Sequence, residues 1–273
     1  MNLIKRSITS IAERLGYAIV PKWRLARLPQ ARHIARLLAT LRVDCVVDVG
    51  ANRGQYRDFL RDDVGFEGTI VSFEPLPALA TLLAERARQD PRWIVEPFAL
   101  GREPGFAMFN VMASDTFSSF LAPSHERTRM FEQGNAVVDR IRVPVRTLDA
   151  AMAAVRARVR FERPYLKLDT QGFDLTVLES GREFLATTVA LQTEASATPI
   201  YEGAPDFVDV IRFLERAGFE LSGMFPNNPE HFPRLIEFDC HMVRSSVLPV
   251  ARDAAAAAAV GASKVPLVDR TAA

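Results

Sequence analysis

The chain has 273 residues, 48% of them apolar and 25% charged, enough for one large globular domain with decorations and a sizeable core. Lys and Arg number 34 against 33 Asp and Glu, a formal net charge of +1, which argues against the broad positive surface of a nucleic-acid binder. No run of eighteen apolar residues exists, and the opening Met1-Asn2-Leu3-Ile4-Lys5-Arg6 lacks the apolar segment of a secretory signal, so the expectation is a cytoplasmic protein without a transmembrane helix.

Residues 1–42 read as a basic helical extension. They hold Lys5, Arg6, Arg14, Lys22, Arg24, Arg27, Arg32, Arg36 and Arg42 against a single acid, Glu13, and Ile4, Ile8, Ile11 and Leu15 recur at helical spacing. Such a stripe either packs on its parent domain or lies on an anionic membrane surface, and both readings stay open. Pro21 and Pro29 separate short elements here, and a helix is expected over 31–41.

From residue 43 the pattern alternates between apolar strands and helices. Strands are expected at 45–49, 69–74, 93–95, 165–169 and 188–194, with helices at 53–61, 78–87, 149–155, 174–179 and 207–217. Pro77 suits a helical first turn and Gly218 a helix stop. The alternation predicts a doubly wound, Rossmann-like parallel sheet over residues 43–250. Residues 106–111 alternate weakly as a strand or hairpin arm, 114–135 read as a long loop with one helical turn, 141–145 alternate as a strand, and 219–221 and 235–243 supply closing strands. Residues 251–273 are an alanine-rich tail without a catalytic role. Cys45 and Cys240 make neither a disulfide framework nor a zinc cluster and are expected as buried thiols.

The polar residues at strand ends carry the chemistry. Asp48-Val49-Gly50-Ala51-Asn52-Arg53-Gly54 closes a buried strand with a tight turn where backbone can approach a ligand. Its spacing departs from Gly-x-Gly-x-x-Gly and lacks the Gly-Lys-Ser/Thr of a phosphate loop. Glu74 ends the next strand, where an acid can accept hydrogen bonds from two ribose hydroxyls. Lys167 and Asp169 share a strand face. Asp169 is placed to orient a hydroxyl or take its proton, and Lys167 to pair with an acid or stabilise an alkoxide. Glu194 ends the fifth strand, with Gln192 two positions earlier on the same face. The histidines show no metal-ligand spacing, and His125, in the long loop, is the one held in reserve for the site.

At these residues the sequence resembles the FkbM-like methyltransferases. The resemblance runs through Val46 to Gly54, Ser72-Phe73-Glu74-Pro75, Phe98-Ala99-Leu100-Gly101 and Thr147-Leu148-Asp149. Its most distinctive block is Leu166-Lys167-Leu168-Asp169-Thr170-Gln171-Gly172-Phe173-Asp174, followed by Val177-Leu178 and Leu191-Gln192-Thr193-Glu194. Many relatives carry Glu where this chain has Gln171. The resemblance implies S-adenosylmethionine as cofactor and O-methylation of an acceptor such as a sugar, a glycolipid or a natural-product hydroxyl. It implies that Gly50, Ala51, Asn52 and Gly54 cradle the methionine end, Asp48 anchors the turn or the amino group, and Glu74 binds the ribose. Phe98 and Ala99 would lie near the adenine, and Ser114 and Ser118 would approach from the central loop. Catalysis would fall to Asp169, with Lys167 and Glu194, and a divalent metal is an open alternative. Read from the residues alone, an NAD-dependent oxidoreductase and a non-catalytic nucleotide-binding scaffold compete with this assignment.

Overall fold

The computed structural model describes Arg14, Tyr17 and residues 22–227 and 231–248. The apolar stripe from Ile4 to Leu15 and the alanine-rich tail lie outside the described residues. Among the described residues no helix is long and apolar enough to cross a membrane.

The elements follow in chain order as helix α1 (Leu28–Thr40), strand β1 (Cys45–Val49), α2 (Gln55–Asp58), β2 (Thr69–Phe73), α3 (Pro77–Ala87), β3 (Trp93–Glu96), β4 (Ala99–Leu100), β5 (Gly105–Met112), β6 (Val137–Arg146), α4 (Leu148–Arg156), β7 (Pro164–Leu168), α5 (Asp174–Glu179), α6 (Arg182–Thr187), β8 (Ala190–Ser196), α7 (Phe207–Arg216), β9 (Phe219–Pro226) and β10 (Glu237–Arg244). The main sheet has the order β3-β2-β1-β7-β8-β10-β9, with the first five strands parallel and β10 antiparallel to both its neighbours.

Every residue of β1 and β7 is buried, as expected of central parallel strands covered on both faces. Alternation sends Val47, Val49, Leu166 and Leu168 to one face, against Met152 and Val155 of α4, Leu178 of α5 and Leu214 of α7. It sends Val46 and Tyr165 to the other, against Ile34 and Leu38 of α1, Leu60 and Leu83. Each such fully buried Leu or Ile contributes roughly 1.5–3 kcal/mol of transfer free energy. The part of the basic extension that forms α1 thus packs into the core.

Some boundaries differ from the sequence expectation for local reasons. α2 continues as a π-helical turn over Phe59–Val64 and stops at Gly65, which takes a left-handed φ of 75°. Residues 106–111 and 141–145 belong to longer strands, β5 and β6, which pair antiparallel and join β4 in a separate three-stranded sheet. Helix α6 was not expected. It starts at Gly181, where a Cβ would lie 2.3 Å from Leu148 Cδ2, and the two oxygens of Asp149 accept from the Glu183 and Phe184 N–H groups in its first turn. Thr147 caps α4 by accepting from Ala150 N. Thr147-Leu148-Asp149 is therefore a double-capping element in this fold. Cys45 and Cys240 are buried free thiols.

Candidate active site

The sheet order reverses between β1 and β7: the chain leaves β1 towards β2 on one side and β7 towards β8 on the other. Crevices at the carboxyl ends of such strands are where open α/β sheets place ligands. Here the crevice opens into a cavity of about 1000 Å³.

The glycine turn fits its place tightly. Gly50 N and Ala51 N both donate to Phe73 O at 3.1 Å, and Asp169 N donates to Val49 O at 3.0 Å. Gly50 has a φ of 79°, and a Cβ on it would fall 2.0 Å from Asp169 O. Only glycine permits the ends of β1 and β7 to approach this closely. Asn52 also takes a left-handed φ, 48°, and its backbone N–H donates to Glu74 Oε2 at 2.7 Å, while Leu76 N donates to Oε1 at 2.8 Å. Burial pushes the Glu74 carboxyl up to about 7, against the pull of these two hydrogen bonds. Each Glu74 oxygen keeps a further lone pair for a ligand hydroxyl.

Beneath the turn, strand register lines up polar residues. Ser72, Asp48, Lys167, Gln192 and His241 are successive partners across β2, β1, β7, β8 and β10. Trp93 Nε1 donates to Ser72 Oγ at 3.0 Å, and Ser72 Oγ donates to Asp48 Oδ2 at 3.2 Å. Lys167 Nζ lies 3.0 Å from Asp48 Oδ1 and 3.4 Å from Asp169 Oδ2. Burial works to lower the Lys167 ammonium, but Asp48 and Asp169 outweigh it and hold the group above its ordinary value. Lys167 is therefore a fixed cation and not a base. Tyr56 OH donates to Gln192 Oε1 at 3.0 Å, and Tyr165 OH lies 3.1 Å from His241 Nδ1. Burial, then His33, lowers His241 to about 3, so it stays neutral.

The turn after β7 joins three acids. Thr170 N donates to Asp174 Oδ1 at 2.8 Å, and Asp174 Oδ2 accepts from Thr193 Oγ1 at 2.6 Å and Glu194 N at 3.1 Å, which ties α5 to β8. Gln171, at φ 55°, donates from Nε2 to Asp169 Oδ1 and to Glu194 Oε2, each at 2.8 Å. Asn227 Nδ2 donates to Glu194 Oε1 at 2.5 Å. Burial, then the carboxylates of Glu237 and Asp169, raise Glu194 well above the usual range.

Of the residues singled out in the sequence, Gly50, Ala51, Asn52, Glu74, Phe98, Ala99, Ser118, Lys167 and Asp169 line the cavity. Asp48, Gly54, Ser114, Glu194 and His125 do not. Asp48 is fully buried under the turn, and a Cβ on Gly54 would face Arg86, Leu83 and Trp93. Ser114 pairs with Thr116, 2.9 Å away. Glu194 sits behind the Gln171 amide. The cavity has an apolar end, with Leu76, Phe98, Leu100, Phe109 and Phe120, and a polar end around Gln30, Lys167, Asp169, Gln192, Asn227 and Asp239. Gln30, Asn227 and Asp239 had no signal in the sequence reading. Gln30 Nε2 bonds Asp239 Oδ2 at 2.6 Å, a pairing that strand order creates. Among the described residues no group of three or more His, Cys, Asp and Glu is arranged to hold a metal ion.

A mostly parallel sheet with a glycine turn and a strand-end acid at its switch point is the Rossmann-like fold of class I methyltransferases. Residues 48–221 match the model of the methyltransferase FkbM domain, and the chain belongs to that family. The family decides against the oxidoreductase. No curated protein matches the chain. Among solved structures, methyltransferase FkbM from Methylobacillus flagellatus KT is 16% identical with a TM-score of 0.46, over 73% of this chain and 43% of that one, so the chain spans under half of that relative's length. Aeropyrum pernix fibrillarin, in complex with natively bound S-adenosyl-L-methionine, is 12% identical (TM-score 0.41; 78% and 74% covered). An rRNA methylase from Streptococcus thermophilus is 10% identical (TM-score 0.41; 83% and 99% covered). The assignment rests on the domain match, not on these likenesses.

Proposed function

We propose that the protein transfers a methyl group from S-adenosylmethionine to a hydroxyl of a small or glycosylated acceptor, such as a sugar, a glycolipid or a natural product. The observation that carries this reading is that Glu74, the Gly50 turn and the Asp169 carboxylate open onto one cavity. The residues fit the cofactor. Gly50 leaves no side chain over the turn, Glu74 offers free lone pairs to a ribose diol, and Phe98, Leu100 and Leu76 supply an apolar end for an adenine. The cofactor's sulfonium supplies an already activated methyl carbon.

The chain's own work is then alignment and proton removal. Gln192, Asp239, Gln30 and Asn227 present acceptors and donors suited to a polyhydroxylated compound. Asp169, whose side chain is 40% exposed, accepts the proton of the acceptor hydroxyl on a carboxylate oxygen. Lys167, at 3.4 Å, stabilises that carboxylate before the transfer. Leu25, Arg27 and Pro29 line the cavity too, so the basic extension borders the site. A lipid-linked acceptor would bring residues 1–42 to an anionic membrane, and a soluble one would not. A cytoplasmic setting belongs to the same proposal.

Calorimetry with S-adenosylmethionine, S-adenosylhomocysteine and NAD, followed by a labelled-methyl screen of hydroxyl acceptors, tests the reading. The methionine-derived ligands are expected to bind and NAD is not. Tight NAD binding with neither of the others would reject it, and binding without methyl incorporation into any acceptor would favour a scaffold.

A further inference from the structure

Gln171 stands at the centre of the polar end of the cavity, and nothing in a methyl-transfer chemistry asks for an amide there. Its side chain nevertheless has a determined orientation. Nε2 lies 2.8 Å from both Asp169 Oδ1 and Glu194 Oε2, so its two hydrogens are spent on two different carboxylates. The flipped amide would turn its oxygen on both of them, a repulsive arrangement. On the other side, Tyr201 OH lies 2.8 Å from Gln171 Oε1 and 2.8 Å from Phe117 O and shares its one hydrogen between them.

The backbone is pinned as firmly. Gln171 takes a φ of 55° and Gly172 one of 85°. A side-chain-bearing residue in the left-handed region is strained and persists only when its surroundings hold it. They do: Ser119 Oγ donates to Gln171 O at 2.8 Å, and Thr170, one residue earlier, is bound to Asp174. Ala204, Leu121 and Tyr201 close to within 3.1–3.3 Å of a Cβ placed on Gly172. The long loop, the Tyr201 loop and the β7 turn thus all converge to fix one amide.

We propose that Gln171 is a positioning residue: its amide clamps the Asp169 and Glu194 carboxylates as a rigid pair, leaving Asp169 Oδ2 turned to Lys167 and the cavity. This inference rests on the methyltransferase reading for its kinetic consequence, but not for its geometry. The titratable groups that interact with Asp169 are Lys167 on β7, Glu194 on β8, Asp174 on α5, Tyr201, and Glu237 and Asp239 on β10, while Asp48 on β1 shares the Lys167 ammonium with it. Lys167 is the one cation in that set. A neutral double donor stabilises the ionised form of each carboxyl it reaches, working against the burial that raises Glu194, whereas a carboxylate at position 171 would add a like charge and favour a proton in the group.

The test uses the full chain with Gln171→Glu and Gln171→Met. Crystal structures of both variants, S-adenosylmethionine affinity, and the pH profile of methyl transfer are measured. In Gln171→Met the Asp169 and Glu194 carboxylates are expected to separate, with the cofactor Kd within about twofold of the parent, because no Gln171 atom belongs to the Gly50–Glu74 end. Turnover is expected to fall by on the order of 10–100-fold, the size of a partial loss of acid–base placement. In Gln171→Glu the acid limb of the profile is expected to move up by about one pH unit or more, as for like charges sharing a site. Unmoved carboxylates in Gln171→Met would overturn the clamp, as would a parental rate and acid limb in both variants. A parent protein that binds no S-adenosylmethionine would sink the functional reading instead, and the carboxylate positions would still judge the clamp.

Discussion

Asn52 N donates to Glu74 Oε2 at 2.7 Å, which fixes the left-handed corner of the glycine turn to the acid that follows β2. The link makes two separate sequence features one device. The turn cannot relax without moving the acid, and the acid's orientation is set before any ligand arrives. Pre-orientation of this kind reduces the ordering cost of binding.

Glu74→Gln should keep the fold and weaken S-adenosylmethionine binding. The amide can still accept at one atom but loses the charge and one acceptor, a loss of about 1.5–3 kcal/mol for a charge-assisted hydrogen bond. Calorimetry with S-adenosylhomocysteine reads this directly. Unchanged affinity in a folded variant removes Glu74 from the cofactor site.

The same residue gives a pH dependence. Burial raises Glu74 to about 7, so in the free protein its ionised, acceptor-only form is lost as pH falls through 7. If the ribose hydroxyls need that form, affinity drops by about tenfold from pH 8 to pH 6. Glu74→Gln should erase this component, so the parent-minus-variant difference isolates it from the ligand's own titration. A parent and variant with parallel pH curves would show that Glu74 binds the diol in either protonation state.

Gly50 and Gly65 both have positive φ, 79° and 75°, but only Gly50 has backbone where its Cβ would go. Gly65→Ala should cost about 1–2 kcal/mol from the left-handed conformation alone and leave cofactor affinity intact. Gly50→Ala adds an overpacking cost of about 1–3 kcal/mol and should abolish cofactor binding by parting β1 from β7. Thermal unfolding and calorimetry compare the two. Equal behaviour would mean that the close approach at Gly50 is not needed.

Strand-end chemistry was readable in the sequence because it is local. Gly50, Glu74 and Asp169 each end an apolar run, and an apolar run announces a strand. The direction of Asp48 was not readable. Its place in a row with Ser72, Lys167 and Gln192 depends on register between strands far apart in the chain, and that register buries it beneath the turn, off the cavity wall. Gln30 and Asp239 meet across 209 positions, and Asn227 reaches Glu194 from the end of β9. These contacts follow from β10 inserting between β8 and β9, which no spacing encodes. The strands of the side sheet alternate locally and are readable, but that they leave the main sheet and join β4 is not, because the pairing of β4 with β6 links segments far apart in the chain.

The buried pair of Lys167 and Asp48 yields a thermodynamic cycle. Lys167→Met removes the cation 3.0 Å from Asp48 Oδ1 and strands a fully buried carboxylate. Loss of one partner of such a pair costs about 3–5 kcal/mol. Adding Asp48→Asn removes the stranded charge and should recover most of that stability. Denaturant unfolding of the parent, the two single variants and the double variant measures the coupling. Additive losses would mean that the two groups do not interact as a pair.

Asp169 carries the mechanism. Its backbone N–H is bonded to Val49 O, its Oδ1 accepts from Gln171, and its Oδ2 faces Lys167 at 3.4 Å, so both carboxylate oxygens are held while its side chain stays 40% exposed. Glu194, the other acid of the clamp, lacks this access. Asn at position 169 preserves the shape and can still accept from Gln171, but it cannot take a proton from the acceptor hydroxyl. Asp169→Asn should therefore fold and bind S-adenosylmethionine with a Kd within about twofold of the parent, while methyl transfer slows by on the order of 10²–10⁴-fold. Glu194→Gln, measured in parallel, should keep a much larger share of the rate, since its carboxyl reaches the reaction only through Gln171. Single-turnover transfer with saturating cofactor separates the chemical step from binding. A parental single-turnover rate in Asp169→Asn would end the base assignment, and a loss larger in Glu194→Gln than in Asp169→Asn would transfer the role to Glu194.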